Sequence, residues 1–289
     1  MSPTHPADPP IAYAGEPGAF AEDAVLAHFG DMPRSPVGGF RDVFTVVADG
    51  RARAGVVPIE NLVNGTVREN LDLLLEHELA IVGEAIVPVR LCLAAPAGQA
   101  LADIERVYSH IQALGQAETF LRTRPWTLLT TYNTAGAGKL IVDRGERAAA
   151  AVLSPRAAAL FGLEILANDI QDVPDNRTRF LVLARDGRVE GGRAEAVTVP
   201  GETAFRTTIV FGVRNQPGAL FRALEAFAGG GVNLSRLESR PVRARAWEYV
   251  FWTDLDGPAD DPAIATALID LGAVATSVRV LGSYPRAVD

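Results

Sequence analysis

The chain reads as an α/β protein followed by a smaller domain of βαββαβ order, and three observations predict this. Between residues 11 and 184 short apolar runs alternate with segments of helical period, the pattern of strand and helix layers around a largely parallel sheet. Residues 186–202 interrupt that rhythm with four glycines, a proline and scattered charge, which is the composition of a linker. Beyond it the periods return in another order that fits the ferredoxin-like split motif. The length, 289 residues, is about twice the roughly 150 residues typical of a domain, so by itself it leaves two domains or one large one open.

The elements follow in order. Residues 11–15 are a short apolar strand, Pro17-Gly18 a turn, and Phe20, Ala24, Val25 and Phe29 one face of a helix that Gly30 stops. A helix over 41–49, a strand over 55–59 and a helix over about 67–77 come next. The apolar segment 80–95 is one or two buried strands around Pro88. Strand 107–108, helix 113–122, strand 126–132, helix 135–143 and strand 148–153 continue the alternation. Ser154-Pro155 then caps a helix that Gly162 ends. In the last part, strand 207–214, helix 217–227, strands 233–240 and 247–253, helix 262–271 and strand 277–281 make the βαββαβ order.

Composition excludes several classes of function. A net charge of −8 argues against a large footprint on nucleic acid or an anionic membrane. No run of about 18 apolar residues exists to span a bilayer. The proline-rich first ten residues do not resemble a secretory signal, so a cytoplasmic location is expected. Cys92 is the only cysteine, which removes disulfide scaffolds and cysteine-cluster metal sites. The four histidines, His5, His28, His77 and His110, have no metal-ligand spacing, so no metal is expected. Gly136-Ala-Gly-Lys139 lacks both the first glycine and the Ser or Thr of a phosphate loop. Lys139, the only lysine, reads as a solvated helix residue.

Polar clusters at the ends of elements carry more information. Glu60-Asn61 ends a strand, and Asn64-Gly-Thr66 precedes a helix. Strand carboxyl ends and helix amino ends are where α/β proteins bind anions. Ser109-His110 ends another strand and leads to Gln112 and Gln116, which share a helix face. Asn176-Arg-Thr-Arg-Phe180 sets two guanidinium groups and a hydroxyl at the mouth of a strand, and arginine can clamp a carboxylate with two bonds.

Taken in order, Gly15-Glu-Pro-Gly18-Ala-Phe20, Gly55-Val-Val-Pro-Ile-Glu60-Asn61, Asn64-Gly-Thr-Val67, Ser109-His-Ile-Gln112-Ala-Leu114 and Asn176-Arg-Thr-Arg-Phe180 resemble the prephenate dehydratase family. Pro217-Gly-Ala-Leu220 and Asn233-Leu-Ser-Arg-Leu-Glu-Ser-Arg-Pro241 resemble the phenylalanine-binding segments of its ACT-type regulatory domain. The resemblance implies a two-lobed, periplasmic-binding-protein-like catalytic domain with a cleft over 10–188. Its lobes would be about 10–85 with 170–188, and 86–169, with a ferredoxin-like ACT domain over 205–285.

It further implies that Thr178 assists loss of the substrate's ring hydroxyl, with Asn61, Ser109, Gln116, Glu60 and His110 as catalytic neighbours. Gly18, Thr66, Gln112, Thr134, Arg179 and Phe180 would bind substrate. Gly218, Ala219, Leu220, Asn233, Leu234, Glu238, Ser239, Arg240 and Pro241 would bind phenylalanine across a dimer interface. The implied partners are prephenate and L-phenylalanine, with no cofactor, and the implied assembly is a homodimer or homotetramer. Arogenate dehydratase, a decarboxylase and a non-catalytic amino-acid sensor are the competing readings.

The chain departs from the family pattern at Leu62, Ile111, Asn133 and Asn64. Leu62 replaces a hydroxyl beside Asn61 and is expected to narrow the pocket. Residues 1–190 hold 17 basic and 24 acidic groups, and residues 191–289 hold 10 and 11. The acidity therefore belongs to the domain implied to take a dianion. Its pocket is expected to be locally positive, from Arg179, Arg177 and helix amino ends such as the one after Gly65.

Overall fold

The structure is a computed structural model that describes residues 9–187, 189, 205–241 and 248–287. The expected linker falls almost wholly outside the described residues. Ile11–Ala14 (β1), Phe20–Phe29 (α1), Arg34–Val37 (β2), Phe40–Ala48 (α2), Ala54–Asn61 (β3), Gly65–Thr66 (β4), Arg68–Glu76 (α3) and Ala80–Pro88 (β5) come first. Cys92–Pro96 (β6), Arg106–Ser109 (β7), Ile111–Gln116 (α4), Glu118–Leu121 (α5), Thr127–Thr130 (β8), Thr134–Arg144 (α6), Ala149–Leu153 (β9), Pro155–Leu160 (α7) and Leu163–Ala167 (β10) follow. Arg177–Ala184 (β11) closes the series. Phe205–Gly212 (β12), Ala219–Gly229 (α8), Leu234–Pro241 (β13), Tyr249–Asp256 (β14), Pro262–Val274 (α9) and Ser277–Pro285 (β15) then give the βαββαβ order.

Two mixed sheets organise the α/β part. The first runs β2-β1-β3-β11-β5, with β4 paired to β3, and the second runs β10-β6-β9-β7-β8. β1 is parallel to β2 and β3, and β7 is parallel to β8 and β9, as expected. β6, however, is antiparallel to both β9 and β10, so the second sheet is mixed rather than parallel. The chain leaves the first sheet after β5, builds the second, and returns as β11. At the two crossings Val89 N donates to Asn176 O at 2.7 Å, Leu91 N to Gln171 Oε1 at 2.9 Å, and Ile170 N to Leu91 O at 3.0 Å. Backbone groups that leave the sheets are thereby satisfied.

The lobe around the second sheet is filled by alanine, leucine, valine and isoleucine. Ala135, Ala137 and Ile141 of α6 meet Ala149, Ala151 and Leu153 of β9 and Ala157 and Ala158 of α7. Small side chains let helix and sheet approach closely, which sets the start of α6 near the strand ends. α7 has the predicted cap, Ala157 N donating to Ser154 Oγ at 3.1 Å. Arg156 of α7 reaches back to the first sheet's α1, pairing with Asp23 at 2.5 Å and with the buried Glu22, which also takes Arg34 at 2.7 Å. At Gly18 (φ +88°) a Cβ would lie 2.8 Å from Ala157 Cα, so only glycine fits that contact.

By contacts, residues up to 78 and 85–181 form one compact unit, and 79–84 with residues from 182 onward form another. The second contains the antiparallel sheet β13-β14-β12-β15. Phe211, Phe227, Leu255, Ile264 and Leu271 form its core under α8 and α9. Arg206 and Glu84, both nearly buried, pair at 2.5 Å inside this unit. Among the described residues no helix is long and apolar enough to cross a membrane.

Candidate active site

Side chains alternate faces along a strand, and β3 and β11 lie side by side. Asn61 therefore shares a face with Thr178 and Phe180, while Glu60 shares the other with Arg179. On the first face is a cavity of about 690 Å³ lined by Asn61, Thr178 and Phe180. That volume is within the range of small-molecule sites.

Asn61 organises this wall. Its Nδ2 donates to Asn176 Oδ1 at 2.8 Å, Thr178 Oγ1 at 2.9 Å and Arg177 O at 3.1 Å. Its Oδ1 accepts from Val63 N and Asn64 N at 3.0 and 2.9 Å. The amide is thus held at both ends, and its orientation is fixed. Because Thr178 Oγ1 accepts from Asn61, its own proton is left for a group inside the cavity.

The opposite wall consists of helix beginnings. His110 caps α4, its Nδ1 accepting from Gln112 N at 3.4 Å, and Gln112 and Gln116 line the cavity. A ring nitrogen that accepts carries no hydrogen, so the proton of the neutral ring is on Nε2. Burial pushes this imidazole below its ordinary value, because charging it there forfeits hydration. Asn133 caps α6 through Gly136 N at 2.5 Å, with Thr134 next to it on the wall. Tyr132 donates to Glu16 at 2.9 Å, and burial with this bond raises its phenol to about 12.

The first residues of α1, α2, α3 and α6 line the cavity, as do His110, which caps α4, and Gln112 in its first turn. The dipoles of these helix starts favour negative charge. The pocket is therefore anion-seeking although the chain is acidic.

The cavity gathers Asn61, Thr66, His110, Gln112, Gln116, Thr134, Thr178 and Phe180 of the expected residues. Gly18, Glu60, Ser109 and Arg179 are not on its wall. Arg179 points to the far face of β11 and pairs with Glu60 at 3.3 Å. Ser109 is fully buried, and its hydroxyl donates to Val152 O at 2.6 Å, tying β7 to β9. Gly18 serves the packing against Ala157. Arg177 pairs with Asp175 at 2.7 Å and is off the wall too, so neither expected arginine makes the pocket positive.

Of the departures, Leu62 is 65% exposed, lies off the wall, and donates its N–H to Arg177 O at 3.0 Å. It does not narrow the pocket. Ile111 is an exposed first residue of α4, while Asn133 and Asn64 both line the cavity.

Sequence reasoning passed over three residues. Asn176 orients Asn61, and its place at the head of Asn-Arg-Thr-Arg-Phe was the signal. Tyr132 and Arg68 line the cavity, and each adjoins a helix start that pattern reading had located.

In the second unit Gly218 (φ +76°) opens α8, with Ala219 and Leu220 as its first residues. A left-handed residue at that point favours glycine. Along β13 the register sets Leu234 opposite Leu255 and Pro241 opposite Tyr249. β12 ends at Gly212, opposite Val250, and α8 starts shortly after it. Gly218, Ala219 and Leu220 are thus at the end of the sheet that holds Ser239, Arg240 and Pro241. Asn233, whose Nδ2 donates to Asp256 at 2.6 Å, and Leu234 are at the other end. Glu238, between them, pairs with Arg236 at 3.1 Å. One copy of the chain therefore does not gather all nine residues.

A family model described as prephenate dehydratase matches residues 11–188, and an ACT domain model matches residues 207–273. A bifunctional chorismate mutase/prephenate dehydratase of Aquifex aeolicus is 39% identical over 96% of this chain and 74% of its own length. Among solved structures, a prephenate dehydratase from Arthrobacter aurescens in complex with L-Phe is 36% identical. It superposes with a TM-score of 0.84 over 96% of this chain and 90% of that one. A structure titled GqqA, a novel type of quorum quenching acylases, also has a TM-score of 0.84, with 34% identity over 96% and 97% of the two chains.

Proposed function

The chain belongs to the prephenate dehydratase family, and from that premise we propose that it converts prephenate to phenylpyruvate in L-phenylalanine biosynthesis under feedback by phenylalanine. The observation that carries this reading is the Asn61–Thr178 bond at 2.9 Å on the wall of an anion-seeking cavity.

The chemistry balances with one proton taken from solvent and no other reactant. The bond from the ring to its carboxylate breaks and CO₂ leaves, the freed electron pair enters the ring, and the carbon–oxygen bond at the far side breaks. The departing hydroxide takes up one proton to become water, and an aromatic ring remains. The protein has to fix the ring and offer a proton to one oxygen. Thr178 offers its hydroxyl proton to the departing oxygen, charge accumulates on Oγ1 as it does so, and a proton from solvent water restores the hydroxyl before the next turnover. The Asn61 N–H strengthens as that charge grows, so it stabilises the transition state more than the ground state. Neutral His110, Gln112, Gln116 and Thr134 supply hydrogen bonds on the other side. Phe20, Phe180, Val89 and Leu91 are apolar wall residues that suit release of CO₂.

Thr178→Ala should lower kcat by about 10²-fold or more, read as phenylpyruvate formation from prephenate. Turnover near the parent rate would overturn the assignment. A second reading, arogenate dehydratase, is favoured by Glu69, a carboxylate at the cavity that would suit an ammonium group. Relative rates on the two substrates separate them. An acylase activity suits this chain less well, because Thr178 is held by an amide donor and not by a base that would make it a nucleophile.

We take the domains as 10–188 and 205–285, the chain as cytoplasmic, and its assembly as a homodimer or homotetramer. Phenylalanine would bind at Gly218, Ala219 and Leu220 of one copy. Asn233, Leu234, Glu238, Ser239, Arg240 and Pro241 would complete the site, the residues distant in one protomer coming from a second. Calorimetry with phenylalanine and light scattering test the two parts of this proposal.

A further inference from the structure

The substrate proposed above carries two carboxylates, while both expected arginines are paired away from the cavity. Arg68 is the one arginine or lysine that lines it among the described residues. It is the first residue of α3 and is exposed. No hydrogen bond or ion pair among the described residues engages its guanidinium. A cation at a helix amino end opposes the helix dipole, so Arg68 does nothing for the stability of α3. Its position makes sense if an anion joins it.

We infer that Arg68 is the anchor for the carboxylate of the substrate's 2-oxo side chain. This rests on the dehydratase reading. Two carboxylates compete for the assignment, and catalysis chooses between them. The ring carboxylate must surrender its charge as CO₂, so an arginine bound to it would stabilise the ground state and slow the reaction. The side-chain carboxylate keeps its charge from substrate to product, so binding it positions the ring without raising the barrier. The guanidinium fork suits a carboxylate that stays intact.

The experiment compares the full-length chain with Arg68→Gln and Arg68→Lys. In Arg68→Gln, KM for prephenate should rise about 10-fold or more, with kcat within about 3-fold. The inhibition constant of phenylpyruvate, which keeps only the side-chain carboxylate, should rise by a similar factor. Arg68→Lys should recover part of both. The parent KM should increase with salt more steeply than that of Arg68→Gln, because an exposed ion pair is screened. Thermal stability without ligand should be unchanged or slightly higher in Arg68→Gln, which a structural role would not give.

An unchanged KM, or a rise in KM with unchanged phenylpyruvate inhibition, would overturn the inference. So would an increase in kcat, which would mark Arg68 as holding the carboxylate that leaves. If the parent chain does not turn prephenate over at all, the dehydratase reading fails. Calorimetry of phenylpyruvate on parent and Arg68→Gln still tests the anchor: weaker binding to the variant supports it, and equal binding overturns it.

Discussion

On one wall of the cavity Asn61 of β3 holds Thr178 of the neighbouring β11, and Asn176, just before β11 and behind the wall, holds Asn61 in turn. On the other wall His110 and Asn133 hold backbone amides at the starts of α4 and α6. The first arrangement fixes the direction of a hydrogen bond, because every amide atom of Asn61 has a partner. The second fixes where helices begin and so where partial positive charge collects. Bond breaking needs the former, whereas holding an anion can do without it.

Four substitutions would break or sharpen that contrast. Asn61→Asp replaces the donor at Thr178 with an acceptor of negative charge, and kcat should fall about 10³-fold. A loss confined to KM would mean that the strand wall binds rather than reacts. Thr178→Ser keeps the hydroxyl but loses the methyl that limits its rotation, and turnover within about 10-fold of the parent is expected. Gln116→Ala, on the helix wall, should raise KM about 10-fold, or ~1.4 kcal/mol, while kcat changes little. If kcat fell instead, the two walls would not divide the work.

The smallest effect concerns pH. His110 titrates below its ordinary value when folded, so over the interval beneath about pH 6.5 the unfolded chain binds a proton that the folded chain does not. Stability from this group is complete above that interval and is lost as pH falls through the folded value. His110→Asn keeps a capping side chain, and melting curves from about pH 7 to about pH 5 should show a shallower decline than the parent. Parallel declines would place the titration elsewhere.

The order of strands and helices was legible because alternation of apolar runs reports burial directly. β2 was not, since Arg34-Ser-Pro-Val37 has no apolar run and is made a strand by its parallel pairing to β1. β10 is an edge strand that exposes Glu164 and Ile165. The single helix expected over 113–122 is two, broken at Ala117 (φ −118°, ψ 22°). Gly115, two residues earlier, weakens the helix at that point. The antiparallel setting of β6 is fixed by distant partners, which local periodicity cannot report. Within the site, motif resemblance found Thr178 and Asn61, yet it gathered Glu60 and Arg179 with them. The two-residue period of a strand already sets those on the opposite face. Arg68 adjoined no charged motif, and only its surroundings single it out.

The ion pair between Lys139 of α6 and Glu16, at 3.6 Å, gives this protein an experimental handle. Lys139 is the only lysine in the chain and its side chain is 44% exposed. Cys92 is buried, its thiol raised to about 12 by burial, so it is shielded from thiol reagents. An amine-reactive dye would therefore mark one side chain besides the amino terminus. It would mark it where the second sheet's helix meets the glycine-flanked loop that precedes α1. A change in its emission on adding prephenate or phenylpyruvate would report movement between the two walls in real time, with no residue replaced.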